Sequence, residues 1–386
     1  MPHSSNAAID FVVKISKFCN LRCRYCYEYN QLGERRRMSL VELREFFTSV
    51  RDSVRGYGRD RVHFVWHGGE PLLIPLEHYE RIGELQKEIF GDDLGYENLV
   101  QTNLTVLTER HIDFLREQRF FSRSIGVSFD VYGDQRVDTR GELRTRTVLE
   151  NMQRLMDAGV SFGAITVLAR NTLARIAEIY HFYDTLGVSV RLLPFYKSAF
   201  DGQVAEHSLV FHEITTSLKN VFDAWLVSER ATTVYPLEDY LRYALAAIGG
   251  AAIAKHRPET DEQVFLVDTN GDTYGVADTY DRQYQYGNVF TQRFDDVLHS
   301  GSRARAAREG QERMGKYCAS CPYFGYCPGR FTAEATLEQR RMLEADGCPV
   351  REMIEHIIRR VDRTAVAKRM VSERLTRREP PELVGA

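Results

Sequence analysis

The sequence predicts an α/β fold with a mainly parallel sheet, and three observations support this. Through the first half of the chain, apolar strand-like segments alternate with amphipathic helix-like segments, which is the order that βαβ units produce. Gly159 and Gly187 directly follow two of the helix-like segments, where a helix commonly ends on a left-handed glycine. The chain of 386 residues, 43% of them hydrophobic, is long enough to bury a large core.

Six β/α units are predicted between residues 9 and 195. Apolar and β-branched segments predict strands at Phe11–Ser16, Val62–Trp66, Tyr96–Thr102, Ser124–Phe129, Ser161–Leu168 and Val188–Leu193. Apolar residues that repeat with the helical period predict helices at Leu40–Val54, Leu76–Phe90, Thr108–Glu117, Leu143–Ala158 and Leu173–Leu186.

After Pro194 the alternation ends, and the remaining elements are predicted separately. A β-hairpin is expected at Gln263–Ala277, because Asn270-Gly271-Asp272 is a strong turn signal between two strand-like segments. The other expected elements are helical, and they lie at 205–255, Arg293–Glu309 and Val350–Arg377.

Composition and charge exclude several classes of protein. The net charge of −3 provides no basic field for nucleic acid or an anionic membrane. No apolar segment approaches the roughly 20 residues that span a bilayer. The segment 1–10 lacks the basic start and apolar core of a secretory signal. We therefore expect a cytoplasmic protein, in a compartment that disfavours disulfides and favours metal sites.

The seven cysteines fall into two groups. Their odd number argues against a complete set of disulfides, and a division into three and four fits two metal centres. The first group has C-x3-C-x2-C spacing, and the second has C-x2-C-x5-C spacing with a more distant fourth member. The positions are Cys19, Cys23 and Cys26, and then Cys318, Cys321, Cys327 and Cys348.

The spacing of Cys19, Cys23 and Cys26 places three thiolates on one tight loop. Each thiolate can bind one iron of a cubane cluster, which leaves the fourth iron free to bind a substrate or cofactor. A zinc site is the alternative, and His63 or His67 could complete it.

The first cysteine loop resembles the signature of radical S-adenosylmethionine (SAM) enzymes, because aromatic Tyr25 precedes the last cysteine and a predicted strand precedes the loop. The resemblance implies a [4Fe–4S] cluster on Cys19, Cys23 and Cys26, whose open iron chelates the amino and carboxylate groups of SAM. It also implies that Tyr25 lies beside the adenine. The implied fold is a partial (β/α)6 TIM-like barrel with a C-terminal iron–sulfur extension.

The second cysteine group resembles a reduced SPASM extension, the C-terminal module that carries auxiliary [4Fe–4S] clusters in related enzymes. Val276 and Phe331 stand where the full pattern has cysteines. The resemblance implies that the inner auxiliary cluster is lost and the outer one is kept. Its four ligands would be Cys318, Cys321, Cys327 and Cys348. A zinc site on the same four thiolates is the alternative.

The segment Gly68-Gly69-Glu70-Pro71 follows the second predicted strand and resembles the GGEP motif of the family. Two glycines let the backbone approach a ligand closely. The resemblance implies that Glu70 faces the methionine ammonium group of SAM. An ordinary glycine turn is the alternative interpretation.

Three further residues are candidates for contact with SAM. Ser128 lies in the segment that ends the fourth predicted strand and resembles a serine that contacts the SAM ribose, although Val131 replaces a glycine that usually follows. Arg140 lies in a segment that resembles the Asp-x-Arg segment found further along the chain in related enzymes. Asn103 ends the third predicted strand. The alternative for each is a surface polar residue or a helix cap.

Asp278 is the candidate catalytic residue. It follows the predicted hairpin and resembles an aspartate that takes a substrate proton in sulfatase-maturing enzymes. Asp281 is close by in sequence, and a solvated loop aspartate is the alternative interpretation.

The protein is predicted to be a radical SAM enzyme that modifies a ribosomally made precursor peptide. The most specific hypothesis is that it cross-links a peptide side chain. The segment from Cys26 to Asn30 resembles the cyclophane-forming group. The stretch before the first strand is too short for a leader-binding domain, so we expect recognition by the barrel rim, the C-terminal region or a separate leader-binding protein. An electron donor of the flavodoxin or ferredoxin type is also expected.

Three alternatives remain: a formylglycine-generating sulfatase maturase, a small-molecule radical SAM dehydrogenase, and a non-enzymatic iron–sulfur or zinc protein. The predicted division of the chain is a radical SAM partial barrel at 1–200, a helical connector at 201–260, a reduced SPASM-like domain at 261–350, and a C-terminal helix and tail at 351–386.

Overall fold

The computed structural model describes residues 8–122, 124–195, 207–230, 232–277 and 279–362. Ten strands form one sheet in the order β10-β9-β8-β1-β2-β3-β4-β5-β6-β7. The bounds of the strands are β1 Ile9–Ser16, β2 Arg61–Gly68, β3 Gly95–Thr102, β4 Ser124–Ser128, β5 Ser161–Leu168, β6 Val190–Pro194, β7 Val234–Tyr235, β8 Val264–Val267, β9 Asp272–Gly275 and β10 Gln285–Asn288.

The helices of the described residues lie between and after these strands. Their bounds are α1 Leu40–Val54, α2 Leu76–Phe90, α3 Glu109–Arg116, α4 Thr145–Asp157, α5 Ile176–Leu186, α6 Phe211–Val227, α7 Leu237–Gly249, α8 Pro258–Asp261, α9 Phe294–Leu298, α10 Gly301–Tyr317, α11 Arg330–Ala333, α12 Leu337–Asp346 and α13 Pro349–Asp362.

All six predicted strands and the five helices between them are present, in the predicted order. Local signals set several of their ends. Ser39 forms a capping box with Glu42 at the start of α1, and Thr108 caps α3 in the same way with His111. Gly187 adopts a φ of +67° and ends α5.

Strands β1 to β6 pair in parallel with their sequence neighbours, which builds the arc of a partial barrel. Alternate residues of each strand face the helices or the interior of the arc. On the interior face, a small buried apolar cluster closes the bottom of the barrel. It consists of Val12, Val65, Leu99, Leu266 and Tyr274.

Two strands were not predicted in the parallel sheet. The two-residue β7 extends the sheet beyond β6. The predicted hairpin is confirmed as β8 and β9, but β8 also pairs in parallel with β1, from Asp10 opposite Val264 to Val13 opposite Val267. The C-terminal hairpin therefore closes one side of the barrel beside the strand that precedes the first cysteine loop.

The C-terminal helices pack on the last part of the barrel. Helix α13 contacts α6 and α7, so the helical connector and the C-terminal helix share one interface. Helix α13 accounts for the first part of the predicted helix Val350–Arg377, and its part beyond Asp362 lies outside the described residues. The four-part division of the chain stays a prediction. In the part of the chain that the structure describes, no helix has the length and apolar character needed to cross a membrane.

Phe11 in β1 joins the barrel to the C-terminal region. Its ring lies 5.2 Å from Phe46 in α1 and 5.7 Å from Phe64 in β2, measured between centroids. It also lies 6.0 Å from Phe265 in β8 and 5.0 Å from Phe294 in α9. One fully buried ring thus connects five elements.

We expect Phe11→Ala to reduce the free energy of unfolding by about 3–5 kcal/mol, because it leaves a cavity among these rings. Urea unfolding followed by circular dichroism measures the change. Leu143→Ala, at a residue that is 47% exposed, is the matched control and should change stability by less than about 0.5 kcal/mol. Equal effects of the two substitutions would contradict the assignment of Phe11 to the core.

Candidate functional site

The first cysteine loop begins where β1 ends and lies at the carboxyl edge of the barrel strands, where barrel enzymes place their sites. Cys19 donates its backbone N–H to Leu32, and Cys26 donates its backbone N–H to Cys23. The three thiols form one small cluster with Leu21 and Leu32. The predicted loop therefore brings Cys19, Cys23 and Cys26 together.

Burial favours the protonated form of all three thiols when nothing is bound. It raises the pKa of Cys19 and of Cys26 to about 12, and it also raises the pKa of Cys23. Charge repulsion from Cys23 also raises the pKa of Cys19 and of Cys26. Such a donor set suits a metal centre, because a bound metal removes the thiol protons and compensates the negative charge.

The Gly68-Gly69 turn approaches the start of this loop, and the contact is made by backbone atoms. Gly69 donates its N–H to the Ser16 carbonyl at 2.9 Å. A Cβ atom on Gly69 would lie 2.3 Å from the Phe18 carbonyl oxygen, and one on Gly68 would lie 2.1 Å from the Ser16 carbonyl oxygen. We expected the two glycines to let the backbone approach a ligand closely. In the structure, the backbone at these glycines closely approaches the cysteine loop.

Glu70 is buried, and its carboxylate is held by three donors of the protein. Its Oε1 accepts hydrogen bonds from the Leu72 N–H at 2.8 Å and the Thr102 hydroxyl at 2.6 Å. Its Oε2 accepts from the Asn103 N–H at 2.6 Å. Burial raises the pKa of Glu70, and these donors oppose the shift. Glu70 therefore ties the glycine turn to the end of β3, and the expected contact with SAM stays a prediction.

Asp130 lies just after β4 and holds the other side of the cysteine loop. Its Oδ2 accepts from the Tyr25 hydroxyl at 2.5 Å and the Arg136 Nε at 2.9 Å. Its Oδ1 accepts from the Thr166 hydroxyl at 3.1 Å and the Val167 N–H at 2.8 Å. This buried group connects the cysteine loop to β4 and β5.

Arg136 is the cation of this group, and it is 6% exposed. Burial lowers the pKa of Arg136, but Tyr25, Asp130 and Cys23 raise it more, so the guanidinium stays charged. Arg136 in turn lowers the pKa of Cys23, against the larger effect of burial. Sequence reasoning selected Arg140 instead of Arg136. The side chain of Arg140 is exposed, and its backbone N–H binds Asp138.

The remaining predicted SAM contacts lie around this edge. Asn103 is buried, with its Nδ2 at 3.1 Å from Asn20 Oδ1 and 3.7 Å from Cys19 Sγ. Ser128 accepts a hydrogen bond from Gln101 Nε2 at 2.7 Å. Both side chains lie at the ends of neighbouring strands, and their contacts with SAM stay predictions.

Asp278, the predicted catalytic residue, lies outside the described residues, so its role stays a prediction. The alternative residue Asp281 accepts a hydrogen bond from the Gln283 N–H at 2.9 Å in a turn. The two histidines considered as zinc ligands have other partners in the structure. His63 pairs with Asp10 near the start of β1, and His67 Nδ1 accepts from the Gly68 N–H at 2.7 Å.

A buried polar group inside the barrel was missed by sequence reasoning. Lys14 is fully buried, its ammonium group donates to the Tyr27 hydroxyl, and it lies 3.4 Å from the Glu28 carboxylate and 3.3 Å from His67 Nδ1. Burial lowers the pKa of Lys14, but Glu28 and Tyr27 raise it above its usual value. Burial and the Lys14 charge together lower the pKa of His67, which stays neutral. The sequence contains one feature that could have predicted this group, namely a lysine in a largely apolar strand.

The second cysteine group lines a single cavity of about 160 Å³ in the C-terminal region. Cys318 ends α10, Cys321 and Cys327 lie in the following loop, and Cys348 directly precedes α13. Phe331 also lines this cavity. The structure therefore brings together all four cysteines that the sequence grouped, although Cys318 and Cys348 are separated by two short helices.

Hydrogen-bond donors surround these sulfurs. The Thr332 hydroxyl lowers the pKa of Cys318 and of Cys348, and the Gly329 N–H lowers the pKa of Cys327. Burial raises the pKa of Cys318 and Cys348, and it raises the pKa of Cys327 to about 12. These donors oppose the shift, and donors of this kind tune bound iron–sulfur clusters.

The size of the cavity bears on the choice between a cluster and zinc. A single zinc ion would draw four sulfurs to about 2.3 Å from one point. Within the described ranges, no three His, Cys, Asp or Glu side chains are close enough together to hold one metal ion. The cavity has roughly the volume of five water molecules in the liquid, so the four sulfurs line a space larger than one ion needs.

A comparison with protein families identifies the barrel. Residues 13–183 match the model of the radical SAM superfamily. The chain carries a radical SAM domain. The cofactors of this family are a [4Fe–4S] cluster and SAM, and the first cysteine loop of the radical SAM domain has the donor set and the position that they require.

Comparisons with known proteins extend beyond the radical SAM domain. A serine-type anaerobic sulfatase-maturating enzyme from Bacteroides thetaiotaomicron is 23% identical over 344 residues, which are 82% of this chain and 81% of the relative. Among solved structures, native anSMEcpe with bound AdoMet and Cp18Cys peptide has a TM-score of 0.74 and 18% identity. The alignment covers 96% of this chain and 100% of that chain.

A second solved structure, Streptococcus suis SuiB bound to precursor peptide SuiA, has a TM-score of 0.56 and 13% identity. The alignment covers 77% of this chain and 67% of that chain. At these identities the likeness shows the fold. The predicted α/β class with a partial TIM-like barrel is confirmed.

We expect Gly69→Ala to destabilise the radical SAM domain by about 1–3 kcal/mol, because the new Cβ would overlap two backbone carbonyls. Urea unfolding measures this change, and iron bound per chain after anaerobic reconstitution should fall with it. Gly33→Ala is the matched control, since nothing lies within 4 Å of a Cβ there. If both alanine variants unfold alike, the proposed steric contact is wrong.

We expect Asp130→Asn to reduce the free energy of unfolding by about 3–5 kcal/mol, because it leaves the buried Arg136 charge without its carboxylate. The control is Asp134→Asn in the same segment, whose side chain is exposed and whose substitution should have an effect under about 0.5 kcal/mol. Urea unfolding distinguishes the two. A stability close to that of the unmodified protein for Asp130→Asn would refute the anchoring role of this group.

Proposed function

We propose that this protein is a radical SAM enzyme that modifies a peptide made on the ribosome, by oxidative cross-linking of a side chain or a related change. In this proposal Cys19, Cys23 and Cys26 hold the [4Fe–4S] cluster that binds SAM. Cys318, Cys321, Cys327 and Cys348 hold one auxiliary [4Fe–4S] cluster.

One observation carries the proposal: three thiols, one buried and two half-buried, lie together at the carboxyl edge of the parallel strands, inside the segment that matches the radical SAM model. Three thiolates leave one iron of a cubane without a protein ligand. With both cofactors bound, they supply a 5′-deoxyadenosyl radical that removes a hydrogen atom from an unactivated carbon.

The residues of the chain orient these groups and protect the site. Asp130 fixes the Tyr25 hydroxyl, and Arg136 keeps a positive charge beside Cys23. Val12, Leu99 and the other members of the apolar cluster fill the bottom of the barrel and exclude water from that side of the site. A radical site needs this exclusion because a reactive intermediate attacks any nearby bond.

A cavity on the open side of the barrel supports a peptide as the substrate. It has a volume of about 260 Å³ and lies between the end of β6, helices α6 and α7, and the C-terminal helices. Its wall includes Arg191, Leu193, Asp239 and Tyr240. Phe331 lines both this cavity and the four-cysteine cavity, so one aromatic side chain lies between the two.

The comparisons also favour a peptide. The solved structures of similar fold include one with a bound Cp18Cys peptide and one with a bound precursor peptide.

A cross-link removes one hydrogen atom and then one electron and one proton from the peptide. The auxiliary cluster is the acceptor we propose for that electron. The first electron has to come from a separate donor of the flavodoxin or ferredoxin type, and a leader-binding protein is the partner we propose for recognition.

A formylglycine-generating maturase is the second candidate. It is favoured by the relative from Bacteroides thetaiotaomicron, a sulfatase-maturating enzyme that aligns over 82% of this chain. The product separates the two functions, because a maturase leaves an aldehyde on one residue and a cross-link joins two residues.

The first part of the test measures radical generation. Anaerobically reconstituted protein with SAM and dithionite should form 5′-deoxyadenosine, and Cys23→Ala should reduce this to background because the cluster loses a ligand. Asn30→Ala, at an exposed residue just after the loop, is the control and should form 5′-deoxyadenosine at the rate of the unmodified protein. Full activity in Cys23→Ala would refute the proposed ligand set.

The second part identifies the product. A synthetic library of linear peptides incubated with the protein, SAM and dithionite should yield peptides lighter by about two hydrogens. A hydrazide reagent should label them only if the product is an aldehyde. SAM cleavage without any altered peptide would favour a small-molecule substrate instead.

A further inference from the structure

The two ends of the first cysteine loop are both held by one segment of the C-terminal region. Lys17 lies two residues before Cys19, and Glu28 lies two residues after Cys26. Lys17 binds Asp268 at the end of β8, and Glu28 binds Tyr280 after β9. Residues about 250 positions away in sequence therefore contact the loop from both sides.

The first contact is a buried ion pair. Lys17 Nζ lies 2.8 Å from Asp268 Oδ2, and both residues are less than a tenth exposed. The other carboxylate oxygen of Asp268, Oδ1, accepts two hydrogen bonds from Thr269. They come from the Thr269 N–H at 2.7 Å and from the Thr269 hydroxyl at 3.1 Å. Lys17 also donates to Gln31 Oε1 at 2.5 Å. The carboxylate is thus fixed in the hairpin and directed at the start of the cysteine loop.

The second contact is made by Tyr280. Its hydroxyl donates to the carboxylate of Glu28, which is 4% exposed and lies 3.4 Å from the Lys14 ammonium group. The ring of Tyr280 lies 4.9 Å from Lys17 Nζ and 6.3 Å from the ring of Tyr27. One side chain therefore contacts both ends of the loop.

The backbone of Tyr280 supports a specific role for this side chain. Tyr280 adopts a φ of +66°, in the left-handed region that residues other than glycine rarely occupy. Such a conformation persists only when surrounding contacts require it. Here it directs the phenol into the buried group formed by Lys14, Lys17 and Glu28.

From these contacts we infer that Asp268 and Tyr280 are positioning residues for the SAM-binding cluster. They hold the two ends of the loop so that Cys19, Cys23 and Cys26 keep the spacing that one cubane needs. The retention of this cluster therefore depends on the C-terminal hairpin as well as on the radical SAM domain. This inference rests on the proposed ligation of the cluster by these three cysteines.

The test measures cluster retention in the full chain with both clusters reconstituted under anaerobic conditions. An iron chelator is added, and release is followed by absorbance in the presence and absence of SAM. Iron release occurs in two phases, one for each cluster. The phase that becomes slower when SAM is present belongs to the cluster that binds SAM. In Tyr280→Phe, which keeps the ring and loses the hydrogen bond to a charged group, this phase should be about tenfold faster.

Tyr284→Phe is the matched control for this substitution. Tyr284 lies four residues further along the same segment, and its hydroxyl donates to Glu309 at 2.7 Å, away from the cysteine loop. Its release phases should equal those of the unmodified protein. A merely structural role of Tyr280 would accelerate both release phases and lower the melting temperature, whereas the positioning role accelerates only the phase that SAM slows.

The ion pair is tested by Asp268→Asn and by the double variant Lys17→Met, Asp268→Asn. The single variant leaves a buried charge without its partner and can reduce folding, while the double variant removes both charges. Both should release the SAM-protected iron faster, with faster hydrogen exchange at residues 17–28. Asp134→Asn, at an exposed residue outside the hairpin, is the control.

The outcomes separate this inference from the ligand assignment. If Cys23→Ala loses the SAM-protected phase while Tyr280→Phe and the double variant release iron at the unmodified rate, the positioning role is wrong and the ligand assignment stands. If Cys23→Ala keeps the SAM-protected phase, the ligand assignment is wrong, and the positioning role falls with it.

Discussion

The contact between two backbone segments sets the path of the cysteine loop. The glycine turn after β2 lies so close to Ser16, Lys17 and Phe18 that neither glycine could carry a Cβ atom without overlap. Hydrogen bonds from Gly69 to Ser16 and from Glu70 to Phe18 continue the pairing of β1 with β2 beyond the end of the sheet. The loop therefore leaves the barrel in one direction, and the positions of the three thiols follow from it.

Buried charges around the site occur in compensated groups. Asp130 pairs with Arg136, Lys17 pairs with Asp268, and Lys14 faces Glu28. A buried charge that loses such a partner is strongly destabilising, so each pair constrains the two segments that it joins. They also leave cationic side chains near the thiols. This arrangement suits a region that has to hold anionic thiolates and a charged cofactor.

The C-terminal region is coupled to the barrel in two ways. Strand β8 pairs with β1, which places the hairpin beside the first cysteine loop. Phe331 separates the four-cysteine cavity from the cavity on the open side of the barrel. The four-cysteine cavity and the proposed substrate route are thus neighbours, as the proposed electron transfer to an auxiliary cluster requires. On the hairpin side of the barrel, a further ion pair joins α10 to the segment before β8. Arg303 pairs with Glu262 at 2.9 Å, and the Tyr286 hydroxyl donates to the same carboxylate.

The sequence by itself determined the order of strands and helices, because hydrophobic periodicity and capping residues such as Ser39 act locally. It also determined that Cys19, Cys23 and Cys26 share one loop, and that Cys321 and Cys327 share another, since their spacing is short. Cys348 joins the second group only through the fold, because α11 and α12 lie between it and Cys327. Only the tertiary structure decided which polar residues surround the cysteines. Lys14 and Asp130 come to the site through strand pairing, and Arg136 comes through backbone hydrogen bonds of its segment to the cysteine loop. The contact of Lys17 with Asp268 spans 251 residues. Local patterns carry no information about such pairs, because the pairing of β8 with β1 is fixed by packing of the whole sheet.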